Sequence, residues 1–277
     1  MERNTEQLDF FFDAMVGDLR IKDDVQSMVL PLCSLSKRKR TSPISWKKGN
    51  HFVQVTAPLE YGICTIYDLD IIMYCISQLN EQFDRGTSNP EPTIRTTYHD
   101  LLTKIGRKAS GRDYIDIKHA LNRLTATYIE TNIRAPSANH TVGFHWLEEF
   151  RTDENSKKIL LKVPRWIYEG VIHERSILTI DKNYFNLSSG IARYLYRLCR
   201  KSAGRKSEGQ MWYMQTVYEN SGSTMNFPDF CKSARKVIDK LNEKDNFPEY
   251  QVFIKTQNGR EAIQFLPRPE TIGQTIT

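Results

Sequence analysis

Residues 226–242, Asn-Phe-Pro-Asp-Phe-Cys-Lys-Ser-Ala-Arg-Lys-Val-Ile-Asp-Lys-Leu-Asn, decide the fold together with three stretches C-terminal to them: Tyr250–Lys255, the turn Gln257-Asn258-Gly259-Arg260, and Ala262–Leu266. Asn226 can accept from a backbone N–H of a first helical turn. Pro228 suits that turn because its missing N–H has no partner there, and Asp229 stands three residues after the cap. Helical spacing then puts Phe227, Phe230, Ala234, Val237, Ile238 and Leu241 on one face and leaves Lys232, Arg235, Lys236 and Lys240 on the others. Two apolar runs joined by Asn-Gly predict a β-hairpin, since both turn residues accept the positive φ of a type I′ turn. A reading helix followed by a hairpin is how a winged helix-turn-helix ends.

The residues upstream complete that unit. Gln215–Ser221 reads as a short helix. Ser188 or Ser189 caps a helix running through Lys201, with Ile191, Tyr194, Leu195 and Leu198 turned inward. The same order occurs earlier in the chain. His51–Thr56 alternates as a strand, and Thr65-Ile-Tyr-Asp68 is a capping box opening a helix to about residue 82, with Leu69, Ile72, Met73, Ile76 and Leu79 on one face. Asp68 and Asp70 point apart on a helix, which favours capping over a paired-carboxylate site. After Pro90 and Pro92 come a short strand and a helix from Tyr98 to Ile105 that Gly106 ends. Ser110-Gly-Arg-Asp113 is a second capping box, starting a helix to Ala126 with the stripe Tyr114, Ile117, Leu121, Leu124 and Tyr128. Strands are expected at Tyr128–Ile133, Val142–Arg151 and Ile159–Val163. The fold class is therefore α+β, two winged helix-turn-helix domains in tandem. Residues 28–164 and 165–269 form the domains, 1–27 an acidic N-terminal segment and 270–277 a tail; 277 residues suit about two domains at roughly 150 each. Leu8, Phe11, Phe12, Met15, Val16 and Leu19 have helical spacing, either as a helix packed on the domain or as a docking segment for another protein.

Composition narrows the function. Net charge is +6 and the pI near 9.0, and the positive charge is segregated. Lys37-Arg38-Lys39-Arg40 and the stretch from Arg193 to Lys206 contain no acid, as a surface for a polyanion requires. No apolar run approaches the ~20 residues that cross a bilayer, and the N-terminus lacks a signal-peptide pattern, so a soluble cytoplasmic protein with no membrane partner is expected. Cys33, Cys64, Cys75, Cys199 and Cys231 are scattered and read as reduced, mostly buried thiols.

An α-helix fits the DNA major groove, where base edges carry a full donor and acceptor code. The second domain offers Lys232, Arg235, Lys236 and Lys240 on its reading helix, Arg193, Arg197, Arg200 and Lys201 on the helix before it, and Arg260 at the hairpin tip. The first domain offers Arg112, Lys118 and Arg123, tempered by Asp113 and Asp116, so base contact, phosphate anchoring and dimerisation all stay open for it. Double-stranded DNA is the expected partner, with most specificity supplied by Lys232, Arg235 and Lys236.

Several strings resemble the plasmid replication initiator protein A family: Pro31–Trp46 (PLCSLSKRKRTSPISW), Thr65–Gln78 (TIYDLDIIMYCISQ), Gly111–Leu124 (GRDYIDIKHALNRL) and Phe185–Lys201 (FNLSSGIARYLYRLCRK). Their specificity lies in their joint order across most of the chain from about residue 28. The resemblance implies tandem winged helices that bind repeated sites at a plasmid origin and open it with the host initiator and replicative helicase. It also implies a homodimer that represses further initiation at its own promoter, a place in the bacterial cytoplasm, and no catalytic residues.

Catalytic and cofactor alternatives fit poorly. Gly106-Arg-Lys-Ala-Ser-Gly-Arg-Asp113 has the glycine spacing of a phosphate loop, but Arg112 and Asp113 stand where Lys and Ser or Thr are needed. The six histidines form neither the paired metal site of a rolling-circle nuclease nor a zinc-protease spacing. No enzyme activity, metal or other cofactor is expected. A winged-helix repressor binding one operator as a dimer is the main rival, and a protein-only adaptor would leave the basic faces unexplained.

Overall fold

In the computed structural model, residues 19–25, 27–133, 140–204 and 206–272 are described. The docking or packing helix expected over 8–19 lies outside them except for Leu19, which is buried.

Three residues after Leu19 the chain enters β1 (Lys22–Asp24), then the hairpin β2 (Ile44–Lys48) and β3 (His51–Thr56). Next come α1 (Leu69–Asp84), β4 (Thr93–Thr97), α2 (Tyr98–Lys104), α3 (Gly111–Ala126), β5 (Tyr128–Thr131), β6 (Val142–His145), β7 (Glu149–Asp153) and β8 (Lys158–Lys162). The second half holds α4 (Arg165–Ile172), β9 (Ile177–Thr179), a 3-10 turn at Lys182–Asn186, α5 (Gly190–Ser202), β10 (Gln210–Tyr213), α6 (Met214–Ser221), α7 (Phe227–Glu243), β11 (Tyr250–Gln257), β12 (Arg260–Pro267) and a last helical turn, Pro269–Ile272.

The series α1, β4, α2, α3, β7, β8 repeats as α5, β10, α6, α7, β11, β12. Each closes on a three-stranded antiparallel sheet in which the first strand pairs with the last: β4-β8-β7 and β10-β12-β11. These are two winged helix-turn-helix units in tandem. Local chemistry sets their turns. Thr97 and Ser110 accept from the N–H three residues on and start α2 and α3, and the box predicted at Ser110 and Asp113 is complete. Asn258 and Gly259 both have positive φ, 51° and 70°, as the hairpin turn requires.

Four expectations change. The strand expected over Val142–Arg151 is two strands in different sheets: β6 joins β2-β3-β5, whereas β7 joins the wing. Trp146 and Leu147, at the break, are buried, and the Trp146 indole donates to the Leu32 carbonyl at 3.2 Å. Tyr128 is 40% exposed rather than part of the buried stripe. Its ring lies over Gly143, where any Cβ would collide with the phenol. The capping box at Thr65 is half made: Asp68 accepts the Thr65 N–H at 2.7 Å, but α1 begins at Leu69 without a side-chain cap.

The largest change concerns α5. Ile191 to Arg200 are all buried, basic residues included. Arg193, Arg197 and Arg200 recur at intervals of four and three, so they form one stripe; Arg193 and Arg197 face the first half of the chain and the N-terminal segment. Arg193 meets Asp70 of α1 at 2.6 Å and donates to the Leu187 and Phe185 carbonyls. Arg197 grips Asp23 of β1 at 2.6 and 3.2 Å and donates to Ser27 Oγ at 2.8 Å. Arg200 donates to the Thr179 carbonyl at 2.7 Å and lies 3.9 Å from Glu249. Asp70 also accepts from Arg107 at 3.0 Å, so it is an ion-pair centre rather than a cap residue. Around this seam β1 pairs with β9, α4 packs on α1, and the Tyr67 hydroxyl donates to the Ser188 carbonyl.

Burial already raises the Asp23 carboxyl above its ordinary range, and replacing Arg197 with Ala leaves it buried without its partner, which should cost about 3–5 kcal/mol. Urea unfolding followed by circular dichroism measures the loss; a change below about 1 kcal/mol, the range of an exposed pair, would show that the seam is not a buried one.

Candidate nucleic-acid interface

The second helix-turn-helix is α6, a turn at Gly222–Met225, and α7. Gly222 has a φ of +61°, and a Cβ there would meet Pro31 and Ile44 at 2.9 and 3.0 Å, so both the turn and the close approach demand glycine. The Asn226 side chain accepts from Asp229 N at 2.9 Å and sets the start of α7. Phe230, Cys231, Ala234, Ile238 and Leu241 are buried beneath it. Lys232, Arg235, Lys236 and Lys240 are exposed on its outer side. The three lysines have no carboxylate partner among the described residues.

Arg235 is held differently. Its Nε and one terminal nitrogen donate to the two carboxylate oxygens of Glu261 on β12, at 2.6 and 2.7 Å. The carboxylate holds the guanidinium above its ordinary pKa, and the remaining donors stay open because the side chain is about half exposed. Arg260 is exposed beside the wing turn. Between the start of α6, the start of α7 and the wing runs a groove of 730 Å³ whose walls include Gln215, Thr216, Arg235 and Arg260. Two helix starts, the outer face of α7 and a hairpin wing thus meet around one groove.

The first unit has the same parts and a different charge pattern. Arg112, Asp116, Lys118 and His119 are exposed on α3, with Ile115 59% exposed among them. Lys118 lies 3.2 Å from Glu154 at the wing turn, which parallels the Arg235–Glu261 pair. Arg123 is turned inward, gripping Asp68 at 2.8 and 2.7 Å. Ser110 donates to the Asp113 carboxylate and holds its carboxyl below the usual range. A depressed folded value means this contribution is present above the unfolded value and is lost as pH falls through the folded one.

The sequence offered three basic elements in the second domain and Arg112, Lys118 and Arg123 in the first as candidate DNA contacts, and the structure places them differently. Lys232, Arg235, Lys236, Lys240, Arg260, Arg112 and Lys118 are exposed on the reading helices or beside a wing. Lys201 is exposed at the end of α5. Arg193, Arg197 and Arg200 are in the seam, and their reading as DNA contacts is corrected: buried guanidiniums held by carboxylates and carbonyls cannot reach a phosphate. Arg123 is largely withdrawn by Asp68. Among the described residues no three His, Cys, Asp or Glu side chains form a metal-ion site, and no helix is long and apolar enough to cross a membrane.

A family model described as replication initiator protein A matches residues 22–252. The chain belongs to this family. A putative replication protein of Wigglesworthia glossinidia brevipalpis is 29% identical over 259 residues, 91% of each chain. Among solved structures, domains 2 and 3 of RctB superpose with a TM-score of 0.64 over 88% of this chain and 98% of that one, at 13% identity. The Pi initiator protein, solved in complex with iteron DNA, gives 0.50 over 73% and 94%, at 15% identity. At such low identity the two structures share the fold with this member of the initiator family.

Gly222→Ala forces a Cβ into the left-handed region at the helix-turn-helix corner and should cost at least about 1–2 kcal/mol. The expected readout is a lower urea midpoint with an unchanged slope; an unchanged midpoint would mean the corner relaxes freely.

Proposed function

We propose that this chain is a sequence-specific DNA-binding initiator of plasmid replication, without catalytic residues of its own. It binds repeated origin sites, and its own promoter, in the bacterial cytoplasm. The observation that carries the reading is α7: an outer face with Lys232, Lys236 and Lys240 unpaired among the described residues, capped by Asn226 and flanked by a wing. Such a face suits the major groove, where long donors read base edges and phosphates together. The Pi initiator, of similar fold, was solved on iteron DNA, and family membership supports the same class of target.

In this reading α7 supplies most of the specificity, and α3 enters an adjacent groove or meets a second copy of the chain. Filling neighbouring repeats bends the duplex and strains nearby A·T-rich steps. The host initiator and replicative helicase then exploit the opened strand. Glu261 competes with DNA for Arg235, so a base or phosphate must offer more than the carboxylate already does.

Titration against the replicon's own origin, its promoter and a random duplex at two salt concentrations tests the reading. A ladder of complexes on origin repeats with far weaker random binding is the expected result. A single complex on the promoter and none on the origin would make the chain a repressor. Arg235→Ala should cost about 1–3 kcal/mol on the specific site and little on random duplex; equal loss on both would reassign Arg235 to a phosphate. Glu261→Gln should tighten both complexes while changing stability by no more than about 1 kcal/mol, because the pair it breaks is at the surface.

A further inference from the structure

Between Asp24 and Glu60 the chain has no acid, and residues 37–48 carry six lysines and arginines. Read alone, this is a basic connector. In the fold it is a fixed strap. Ile63 N donates to the Arg40 carbonyl at 2.8 Å, and Ser34 exchanges backbone bonds with Cys64 and Ile66 at 2.8 Å each. The Arg40 guanidinium donates to the carbonyls of Ser42, Pro43 and Gly222, the last in the corner of the second helix-turn-helix. The Trp46 indole donates to Asn220 of α6 at 2.9 Å. At the other end, Lys37 sits 4.6 Å over the Tyr67 ring and, with Lys39, borders a hollow shared with His119 of α3. Lys47 and Lys48 border a second hollow with Tyr218 and Gly222. The strap therefore runs from the reading helix of the first unit to the corner that precedes the reading helix of the second.

Its charges resemble those on the outer face of α7 and differ from another set of surface cations. Arg85, Arg95, Arg151, Lys162, Arg165 and Arg175 are surface cations, and each has a carboxylate partner within 3.0 Å. Lys37, Arg38, Lys39, Lys47 and Lys48 are exposed and have none among the described residues, although Glu60 and Asp116 line the same hollows. Like charges held close together on an ordered backbone repel one another, and a polyanion laid along them relieves that repulsion while releasing counterions.

We propose that the strap at residues 37–48 is a third DNA-contacting element, a clamp on the phosphate backbone between the stretches of duplex read by α3 and α7. It rests on the DNA-binding reading above. Its contribution is independent of base sequence: Lys37, Arg38 and Lys39 hold phosphates on the α3 side, and Lys47 and Lys48 hold them on the α7 side. Arg40 is the anchor that fixes the strap and makes no phosphate contact itself.

The test uses the full chain with Lys37→Ala, Arg38→Ala and Lys39→Ala combined, and separately Lys47→Ala with Lys48→Ala. Circular dichroism and thermal unfolding check that each variant folds. Binding to origin and random duplex is measured across a salt series, with hydroxyl-radical footprinting on the origin. The triple variant should weaken both duplexes by the same factor and flatten the slope of log K against log salt by about 2–3, at roughly 0.9 for each phosphate no longer neutralised. Backbone protection should disappear between the two read segments and persist within them. An unchanged slope and footprint in both variants, with wild-type binding intact, would overturn the clamp and leave the function standing. Absence of duplex binding by the wild type would overturn the function and the clamp together.

Discussion

The arrangement depends on one stripe of buried arginine. A guanidinium removed from water costs several kcal/mol unless a carboxylate and further acceptors surround it. Arg193 and Arg197 meet that demand with Asp70 and Asp23, and Arg200 with the Thr179 carbonyl and a more distant Glu249. Asp70 belongs to α1 and Asp23 to β1, so the helix that opens the second winged unit is complete only when the first unit and the N-terminal strand are in place. The seam is apolar as well as ionic, since Leu195, Leu198 and Tyr184 are buried in the same continuous core as Leu32 and Met73.

From that constraint comes the relation between the two reading helices. The strap of residues 37–48 crosses from α3 to the α6–α7 corner, and Arg40 and Trp46 fasten it to the second unit. This side of the molecule presents α3, α7 and a ribbon of lysines and arginines without carboxylate partners among the described residues, in a set geometry. The relative placement of α3 and α7 is then a property of the folded monomer rather than of a flexible linker.

The wings add a second electrostatic layer. Glu261 holds Arg235, and Glu154 holds Lys118, each pair joining a wing to its reading helix. Both pairs are exposed and contribute little to stability. Their effect is on the surface potential: α7 presents Arg235 already engaged beside three open lysines, whereas on α3 Lys118 and Arg123 are both engaged and Arg112 has no carboxylate partner among the described residues.

Much of this was legible from local chemistry. Ser110 with Asp113, Asn226 with Pro228, and Asn258-Gly259 set helix starts and a hairpin through interactions within four residues, so their spacing alone reveals them. The break at Trp146-Leu147 was hidden because two successive strands of similar composition enter different sheets, a choice made by pairing partners far along the chain. The role of α5 was hidden for the same reason. Arg193 and Arg197 look like a surface stripe until their partners, 123 and 174 residues away, are known. By itself the sequence determined the main helices, the hairpin turn and the tandem winged-helix plan, because caps, turns and periodicity act between neighbours in the chain; β1, α4, β9 and β10 it did not. Only the tertiary structure decided which basic residues are exposed and which are interior ion pairs, because burial depends on what another part of the chain brings against them.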